Sequence, residues 1–433
     1  MLVKVFGIFA ILLAICIPIS VTLGIVSILP SIFNPAFPAK ATAIIRYAFG
    51  GVDSTPILAL PLFVLSGIIM ARGEVSAKIF SFFAYFVGKR TGGLPCVVVM
   101  TCLFYGAISG SGPATTAAVG AMTIPLLVGL GYDKVFITSL VAVAGGLGVI
   151  IPPSIPFILY GLSSGESVGK LFMAGIIPGI LIGACLMIYA WYYCKKHGED
   201  KEKLDAYTKE LHEKGLLGLV KESFWALMTP VIILGGIYGG IVTPTEAACV
   251  SVIYALLVCC FIDRTLSWND VVEVFREAVN TYGPILFILA TATAFGRVLT
   301  QLQAPQAVAS AITSVVSGKI AILLVVNAFL LVVGMLMDTG PAILILTPIL
   351  LPLMKSVGVD PVHFGIIMVV NLAIGFVTPP LGINLFVAAR VGNVPLEVVT
   401  RGIINFIIVM IVCLLLITFI PAIVMALPMW FKG

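Results

Sequence analysis

Two apolar stretches of this chain are broken by a proline pair at the same spacing. GGLGVIIPPSIPF (Gly145 to Phe157) and NLAIGFVTPPLGINLF (Asn371 to Phe386) share Gly-x-x-x-Pro-Pro, so that Gly148, Pro152 and Pro153 answer to Gly375, Pro379 and Pro380. Each is preceded by a second matched stretch, SGSGPATTAAVGAMTIPLLVGLGYD (Ser109 to Asp133) and MDTGPAILILTPILLPLMKSVGVD (Met337 to Asp360). Gly112-Pro113-Ala114 pairs with Gly340-Pro341-Ala342 at an offset of 228, and Asp133 with Asp360 at 227, the offset of the proline pairs. Glycine and proline are common in membrane helices, so one match carries little weight. Four matches in order, needing a single deletion, define an internal repeat.

The breaks matter because of where they sit. Hydrophobic residues make up 61% of the chain and charged residues 10%, against about 45–50% and about 25% in soluble domains. That composition excludes a soluble enzyme or binding module. A spanning helix needs about 20 apolar residues, so the 433 residues allow roughly ten to twelve spans plus shorter re-entrant pieces. Within hydrocarbon an unpartnered backbone group costs several kcal/mol, and a Gly-Pro or Pro-Pro break is tolerated only inside protein or beside a water-filled cavity. Each half therefore carries two such breaks: the tip of a re-entrant helical hairpin at Gly112-Pro113 or Gly340-Pro341, and a discontinuous helix at the proline pair. Matched broken segments of this kind point to a transporter's binding site at the repeat interface.

The layout follows. Residues 1–194 form the first half, with a hairpin at about 105–130 and a broken helix at about 134–161. Residues 224–433 form the second, with a hairpin at about 333–355 and a broken helix at about 362–390. The apolar run from Val5 to about Leu29 is expected to be one retained helix, since it lacks a cleavage site and exceeds a signal-peptide core. Residues 195–223 connect the halves. This loop carries Lys195, Lys196, Lys201, Lys203, Lys209, Lys214 and Lys221, which places it in the cytoplasm by the positive-inside rule. Its alternating charges predict a short amphipathic helix near the membrane surface.

Freed carbonyls at a break, joined by hydroxyls, suit a hard monovalent cation, and half-helix N-termini attract anions. The first half offers Ser109, Ser111 and Thr115 at its tip, facing Gly148 and the turn from Ile151 to Ser154. The second offers Asp338, Thr339 and Gly340, facing Gly375, Thr378, Pro380 and Asn384. Asp338 is an intramembrane carboxylate, by default a functional group, and also a candidate N-cap for a helix beginning at Pro341. Arg297 could neutralise an anionic substrate, but its place near a helix end favours a reach to the interface. Glu246, in TPTEAA, fits a first-turn dipole partner. The nine cysteines show no CxxC spacing and the histidines His197, His212 and His363 no cluster, so neither a metal site nor a histidine proton relay is suggested.

No enzyme is expected. A serine nucleophile at Ser109 or Ser111 would need a base, and no histidine lies in a membrane segment. GESVGKL (Gly165 to Leu171) is one residue short of a nucleotide-binding loop and lacks its Ser/Thr. Occluding hairpin pairs argue for alternating access rather than a channel.

The runs LPLFVLSGIIMARG (Leu60 to Gly73), AISGSGPATTAAVGAMTIP (Ala107 to Pro125), GYDKVF, GGLGVIIPPSIPFILYG (Gly145 to Gly161), LFMAGIIPGIL (Leu171 to Leu181), GGIVTPTEAA (Gly239 to Ala248) and NLAIGFVTPPLGINLFVA closely resemble the large membrane subunit of the tripartite ATP-independent periplasmic (TRAP) transporters. The resemblance covers nearly the whole chain. It implies an all-α, inverted-repeat fold of the elevator type, in which a transport domain holding both hairpins and both broken helices slides against a scaffold. It implies uptake of an organic acid, such as a C4-dicarboxylate or a sialic acid, coupled to two or more sodium ions, across the bacterial inner membrane. The sodium ligands it suggests are Ser109, Ser111, Gly148, Ile151 and Pro153 in one pocket, and Gly334, Gly375, Thr378 and Leu381 in the other. For the organic acid the candidates are Ser111, Thr115, Ser154, Asp338, Thr339 and Asn384. The implied partners are a small four-helix membrane subunit, expected as a separate chain because residue 1 leads directly into the first helix, and a soluble periplasmic substrate-binding protein. Surrounding lipid, and no nucleic acid, completes the set. A standalone sodium-coupled carboxylate transporter of the same fold is the alternative.

Overall fold

The computed structural model describes residues 1–213, 215–316 and 318–430. Lys214, one of the seven connecting-loop lysines, and the last three residues of the second half lie outside them. Among the described residues the regular structure is helical, and nine helices are long and apolar enough to cross a membrane. Shorter apolar helices of 10–17 residues stand beside them, among them the pieces of the two broken segments.

The run from Val5 to about Leu29 is two helices, not one. α1 (Leu2–Ala14) and α2 (Ile19–Phe33) fold back on each other, bringing Lys4 Nζ to 5.8 Å from the Phe33 ring centre. Pro18 is the cause: proline lacks an N–H and disfavours the helical region for the residue before it, and Cys16 turns the chain at φ 61°.

α3 (Ala41–Val52) leads through a 3-10 turn, Thr55–Leu58, into α4 (Ala59–Arg72), and α5 (Val75–Val87) follows. α6 (Gly93–Ser109) and α7 (Gly112–Gly129) form the first hairpin; α8 (Lys134–Gly145) and α9 (Ile155–Ser164) are the two pieces of the first broken helix. α10 (Val168–His197) is long and ends in the basic loop, which holds α11 (Lys201–Glu213), a helix burying Leu204, Thr208 and Leu211 along one face. The second half repeats the plan. α12 (Leu216–Tyr238), α13 (Pro244–Leu256), α14 (Trp268–Gln301) and α15 (Ala304–Val315) precede the second hairpin, α16 (Lys319–Leu336) with α17 (Thr339–Ser356). α18 (Pro361–Gly375) and α19 (Ile383–Gly392) are the second broken helix, and α20 (Leu396–Phe419) and α21 (Pro421–Trp430) finish the chain. At the repeat offset, α5 to α10 superpose in sequence on α15 to α20, while α14 spans the place of α3 and α4 together.

The matched aspartates are helix starts. Asp133 accepts from the amide of Phe136 at 2.7 Å, and Asp360 from those of Val362 and His363 at 2.8 and 3.2 Å, capping α8 and α18. Glu246 forms a capping box with Thr243, whose amide it accepts at 2.8 Å.

Two groups of helices result. α2, α3 and α4 pack with α12, α13 and α14, while α6 to α10 pack with α16 to α20. The groups meet directly where α14 packs on α17 and α4 on α6, and α5 bridges them through α12 and α6, α15 through α14 and α17. The hairpins enter from opposite ends. The base of the first is tied to the exit of α10, where Glu199 accepts from the Gly92 amide at 3.0 Å. The base of the second lies by the start of α10, because the Tyr160 hydroxyl at the end of α9 donates to the Pro361 carbonyl at 2.6 Å.

Candidate ion and substrate site at the hairpin tips

Each hairpin tip is pressed onto the broken helix of its own half by a pair of glycines. A methyl group on Gly106 would lie 2.7 Å from Gly148 Cα, and one on Gly375 would run into the Gly334 backbone. Gly106 and Gly334 are 228 residues apart, so the two contacts are the same contact repeated. Gly106 escaped the motif matching although the offset of Gly334 points straight to it. Only glycine allows backbones this close, and that closeness brings tip oxygens onto the break.

At the first tip, Ser109 Oγ lies 2.8 Å from Thr115 Oγ1, and the Thr115 hydroxyl donates to the Ser111 carbonyl at 2.8 Å. A methyl group on Gly148 would strike Thr115 Oγ1 and come within 2.8 Å of the Ser111 carbonyl. The Ile155 amide donates to the Gly110 carbonyl at 3.3 Å, fastening the tip over the turn. Among the described residues the carbonyls of Gly148, Ile151 and Pro153 accept no turn or loop backbone hydrogen bond. The result is a compact group of hydroxyl and carbonyl oxygens around Ser109, Ser111, Thr115 and Gly148, with the Pro153 carbonyl against Gly110 and Ile151 in the same turn, a donor set of the kind that fits a sodium ion. Both proline pairs are cis at the second bond.

The second tip is poorer in hydroxyls, since Met337 and Ile343 stand where Ser109 and Thr115 do. The Leu381 amide donates to the Met335 carbonyl at 3.1 Å and the Thr378 hydroxyl to the Ile374 carbonyl at 2.7 Å. Gly334, Gly375, Thr378 and Leu381 therefore meet at one break.

Both tips open on one cavity of about 110 Å³. Ser111 and Pro113 line it from the first tip, Asp338, Thr339 and Gly340 from the second, with Phe376 and the α14 residues Ile285 and Ile288 as apolar wall. Asp338 is indeed the N-cap of α17, which starts at Thr339, two residues before the expected Pro341. One carboxylate oxygen accepts from the Thr339 amide at 2.6 Å and its hydroxyl at 3.3 Å. The other has no hydrogen-bond or ion-pair partner among the described residues. The cap thus occupies half of the carboxylate and leaves half of it available.

Three of the proposed substrate residues do not reach this cavity. The Ser154 hydroxyl donates to the Val149 carbonyl at 2.6 Å across the break and caps α9. Thr115 is fully buried under the first tip. Asn384 is buried between α8 and α7, donating to the Ala142 carbonyl at 3.2 Å, with its Oδ1 unpartnered among the described residues.

Leu344 also lines a second cavity of about 470 Å³ between α3, α9, α14 and α17. Arg297 lines it with Ser54, Ser163, Thr293 and Thr300, so its side chain faces this space rather than only the expected interface. Arg297 has no ion-pair partner among the described residues. Ser54 and Leu162 are shared in turn with a cavity of about 880 Å³ at the start of α10 and α13. A run of cavities thus leads from the hairpin tips to the end of the molecule opposite the basic loop.

The arrangement of the helices is shared with known structures. It is similar to the YdaH transporter of Alcanivorax borkumensis, with a TM-score of 0.58 at 14% identity over 88% of this chain and 89% of that one. It is similar also to MtrF of Neisseria gonorrhoeae, with a TM-score of 0.54 at 11% identity over 93% and 94%. At these identities the likeness concerns the fold alone. The sequence is more specific: residues 6–423 match the family described as the tripartite ATP-independent periplasmic transporter, DctM component, and the chain belongs to this family. It is 45% identical over 99% of its length to the isethionate TRAP transporter permease protein DctMQ of Oleidesulfovibrio alaskensis, of which it spans 66%, just under two thirds. It is 41% identical to the C4-dicarboxylate large permease DctM of Pseudomonas aeruginosa, over 86% of each chain, and 36% identical to the sialic acid large permease SiaM of Vibrio cholerae, over 89% and 88%.

Proposed function

We propose that this chain is the large permease of a sodium-coupled TRAP transporter for a small organic acid in the inner membrane, working by an elevator motion of α6–α10 and α16–α21 against the other helices. The observation that carries the reading is the single cavity closed by both hairpin tips, with an oxygen-lined break on either side and a half-free Asp338. Sodium at the two breaks would fix the tips, and the anion would occupy the adjoining space with Arg297 on its wall. The relatives named for C4-dicarboxylates, sialic acid and isethionate share only a compact anionic group, a carboxylate or a sulfonate, which is what one guanidinium recognises. The small four-helix subunit and a periplasmic binding protein complete the machine. With the basic loop in the cytoplasm, the cavity run opens toward the periplasm, where that protein would deliver.

The energetics are sufficient. A tenfold gradient supplies about 1.4 kcal/mol per ion and each net charge moved through 100 mV about 2.3 kcal/mol, so two sodium ions with one monoanion yield roughly 5 kcal/mol. The test is uptake of a labelled C4-dicarboxylate, sialic acid and isethionate into proteoliposomes holding this chain and its small subunit. At least one is expected to enter only with both an inward sodium gradient and the periplasmic protein. Entry without the soluble protein would instead indicate a standalone transporter of the same fold.

Two substitutions separate the sites. Ser109→Ala removes one member of the first oxygen group, and a hydrogen-bonded ligand is worth about 1 kcal/mol. The sodium concentration for half-maximal uptake is expected to rise about fivefold, with Ser356→Ala unchanged; an unchanged value in Ser109→Ala would exclude that group from sodium binding. Arg297→Gln is expected to raise the half-saturating organic acid concentration about tenfold or more, since hydrogen bonds to charged groups contribute about 1.5–3 kcal/mol. Arg297→Lys, which keeps the charge but not the fork, should fall between. An unchanged half-saturation in Arg297→Gln would return that residue to an interfacial role.

A further inference from the structure

The C-terminal end of α10 carries Trp191, Tyr192 and Tyr193 followed by Lys195 and Lys196. Aromatic rings with cations just beyond them mark the depth at which a helix leaves the bilayer. Beside this stretch lies a cleft of about 630 Å³ that belongs to none of the cavities leading to the hairpin tips. Met187, Ile188 and Trp191 of α10 form one wall, and Lys89 and Arg90, at the corner joining α5 to α6, stand on the other. The corner is held close by Gly92, at φ 69°, where a methyl group would lie 2.8 Å from Trp191 Cα.

The charge is uncompensated. Lys89 and Arg90 are exposed and form no ion pair among the described residues. Glu199, the carboxylate that ties this corner down, accepts from the Gly92 amide at 3.0 and 3.1 Å and from the Tyr132 hydroxyl at 2.7 Å. Lys195 adds a third cation, its Nζ 5.0 Å from the Trp191 ring centre. The apolar side is equally open: Ile188 is 64% exposed, Trp191 44% and the neighbouring Phe86 54%. A small soluble anion would use the cations and leave the apolar wall unused. An anionic phospholipid uses both, its phosphate between Lys89, Arg90 and Lys195 and an acyl chain along Ile188 and Trp191. Basic pockets between spanning helices on the cytoplasmic side bind such headgroups.

We propose that this cleft is a binding site for an anionic phospholipid of the cytoplasmic leaflet. The bound lipid sits at the joint between α5, which bridges the two helix groups, and the first arm of the first hairpin. The test is native mass spectrometry of the full chain in neutral detergent, titrated with phosphatidylglycerol or with phosphatidylcholine of matched acyl chains. Phosphatidylglycerol is expected to bind at least about tenfold more tightly. A basic residue near an anionic headgroup contributes about fivefold, so Lys89→Ala with Arg90→Ala should weaken phosphatidylglycerol about 25-fold and leave phosphatidylcholine unchanged. Lys40→Ala, at an exposed lysine outside the cleft, should change neither. If the double variant does not fold, Lys89→Ala and Arg90→Ala singly should each show about a fivefold loss, and Lys89→Arg with Arg90→Lys none. Equal binding of the two lipids, unchanged binding in the alanine variants, or displacement of the lipid by millimolar inorganic phosphate would overturn the proposal.

Discussion

Gly375→Ala is expected to remove uptake almost completely. Its new methyl group meets the backbone of Gly334, not the movable end of a side chain. Overpacking costs about 1–3 kcal/mol when side chains can yield; where two backbones must part, the upper end applies. At about 3 kcal/mol the correctly closed second pocket falls about 150-fold in population. Gly148→Ala should behave alike in the first pocket, because its methyl group would press on Thr115 and on the Ser111 carbonyl. Gly235→Ala, in α12, meets no heavy atom within 4 Å and is the matched control. Initial uptake rates per folded molecule, beside the thermal unfolding midpoint, check this. Full-rate uptake by Gly375→Ala would mean that the close approach is not needed for function.

Asp338→Ala is expected to lower uptake about 10- to 150-fold, the loss of a charged hydrogen-bonding ligand, while the protein still folds. Its capping role predicts only about 1 kcal/mol of lost stability, because the hydrogen bonds it makes are to the amide and hydroxyl of the adjoining Thr339. Asp338→Asn keeps an oxygen for that amide but no charge. If Asp338 serves the cavity, Asn should be nearly as inactive as Ala while recovering the unfolding midpoint. If Asp338 is only a cap, Asn should recover both.

How much of this was legible in sequence depended on whether the signal was local. The hairpin tips and broken helices were readable because the Gly-Pro and Pro-Pro breaks recur at one offset in the two halves, and proline removes a helix hydrogen bond by covalent geometry. Asp133 and Asp360 were visible as a match, and their role as caps follows from the helices that begin beside them. Proline was also where the reading failed. Pro18 was absorbed into an apolar run, although it splits α1 from α2. Pro56 and Pro284 occupy the same place in the repeat, yet Pro56 follows the break between α3 and α4 while α14 runs through Pro284 unbroken. The preceding residue does not decide it, since Thr229-Pro230 also runs unbroken through α12; the break before Pro56 lies at Asp53 and Ser54, ahead of the 3-10 turn that Thr55 opens.

Non-local placement could not be read. Ser154, Thr115 and Asn384 belong to the motifs, but their side chains are spent on the break, the first tip and the α8 carbonyls. Arg297, from the end of α14, instead lines the next cavity. Which oxygens face one shared space is decided by how the halves meet, and spacing along one chain does not encode it.

The central claim is that two sodium sites, one at each break, act together on a single substrate cavity. The most direct measurement is the rate of organic acid uptake against sodium concentration in proteoliposomes holding the large and small subunits with the periplasmic protein, choline replacing sodium. The account predicts a sigmoidal dependence with a Hill coefficient approaching about 2, since cooperativity is bounded by the number of sites, and no uptake in choline alone. Uptake that persists in choline, or a hyperbolic dependence that Ser109→Ala and Gly375→Ala leave in place, would contradict it.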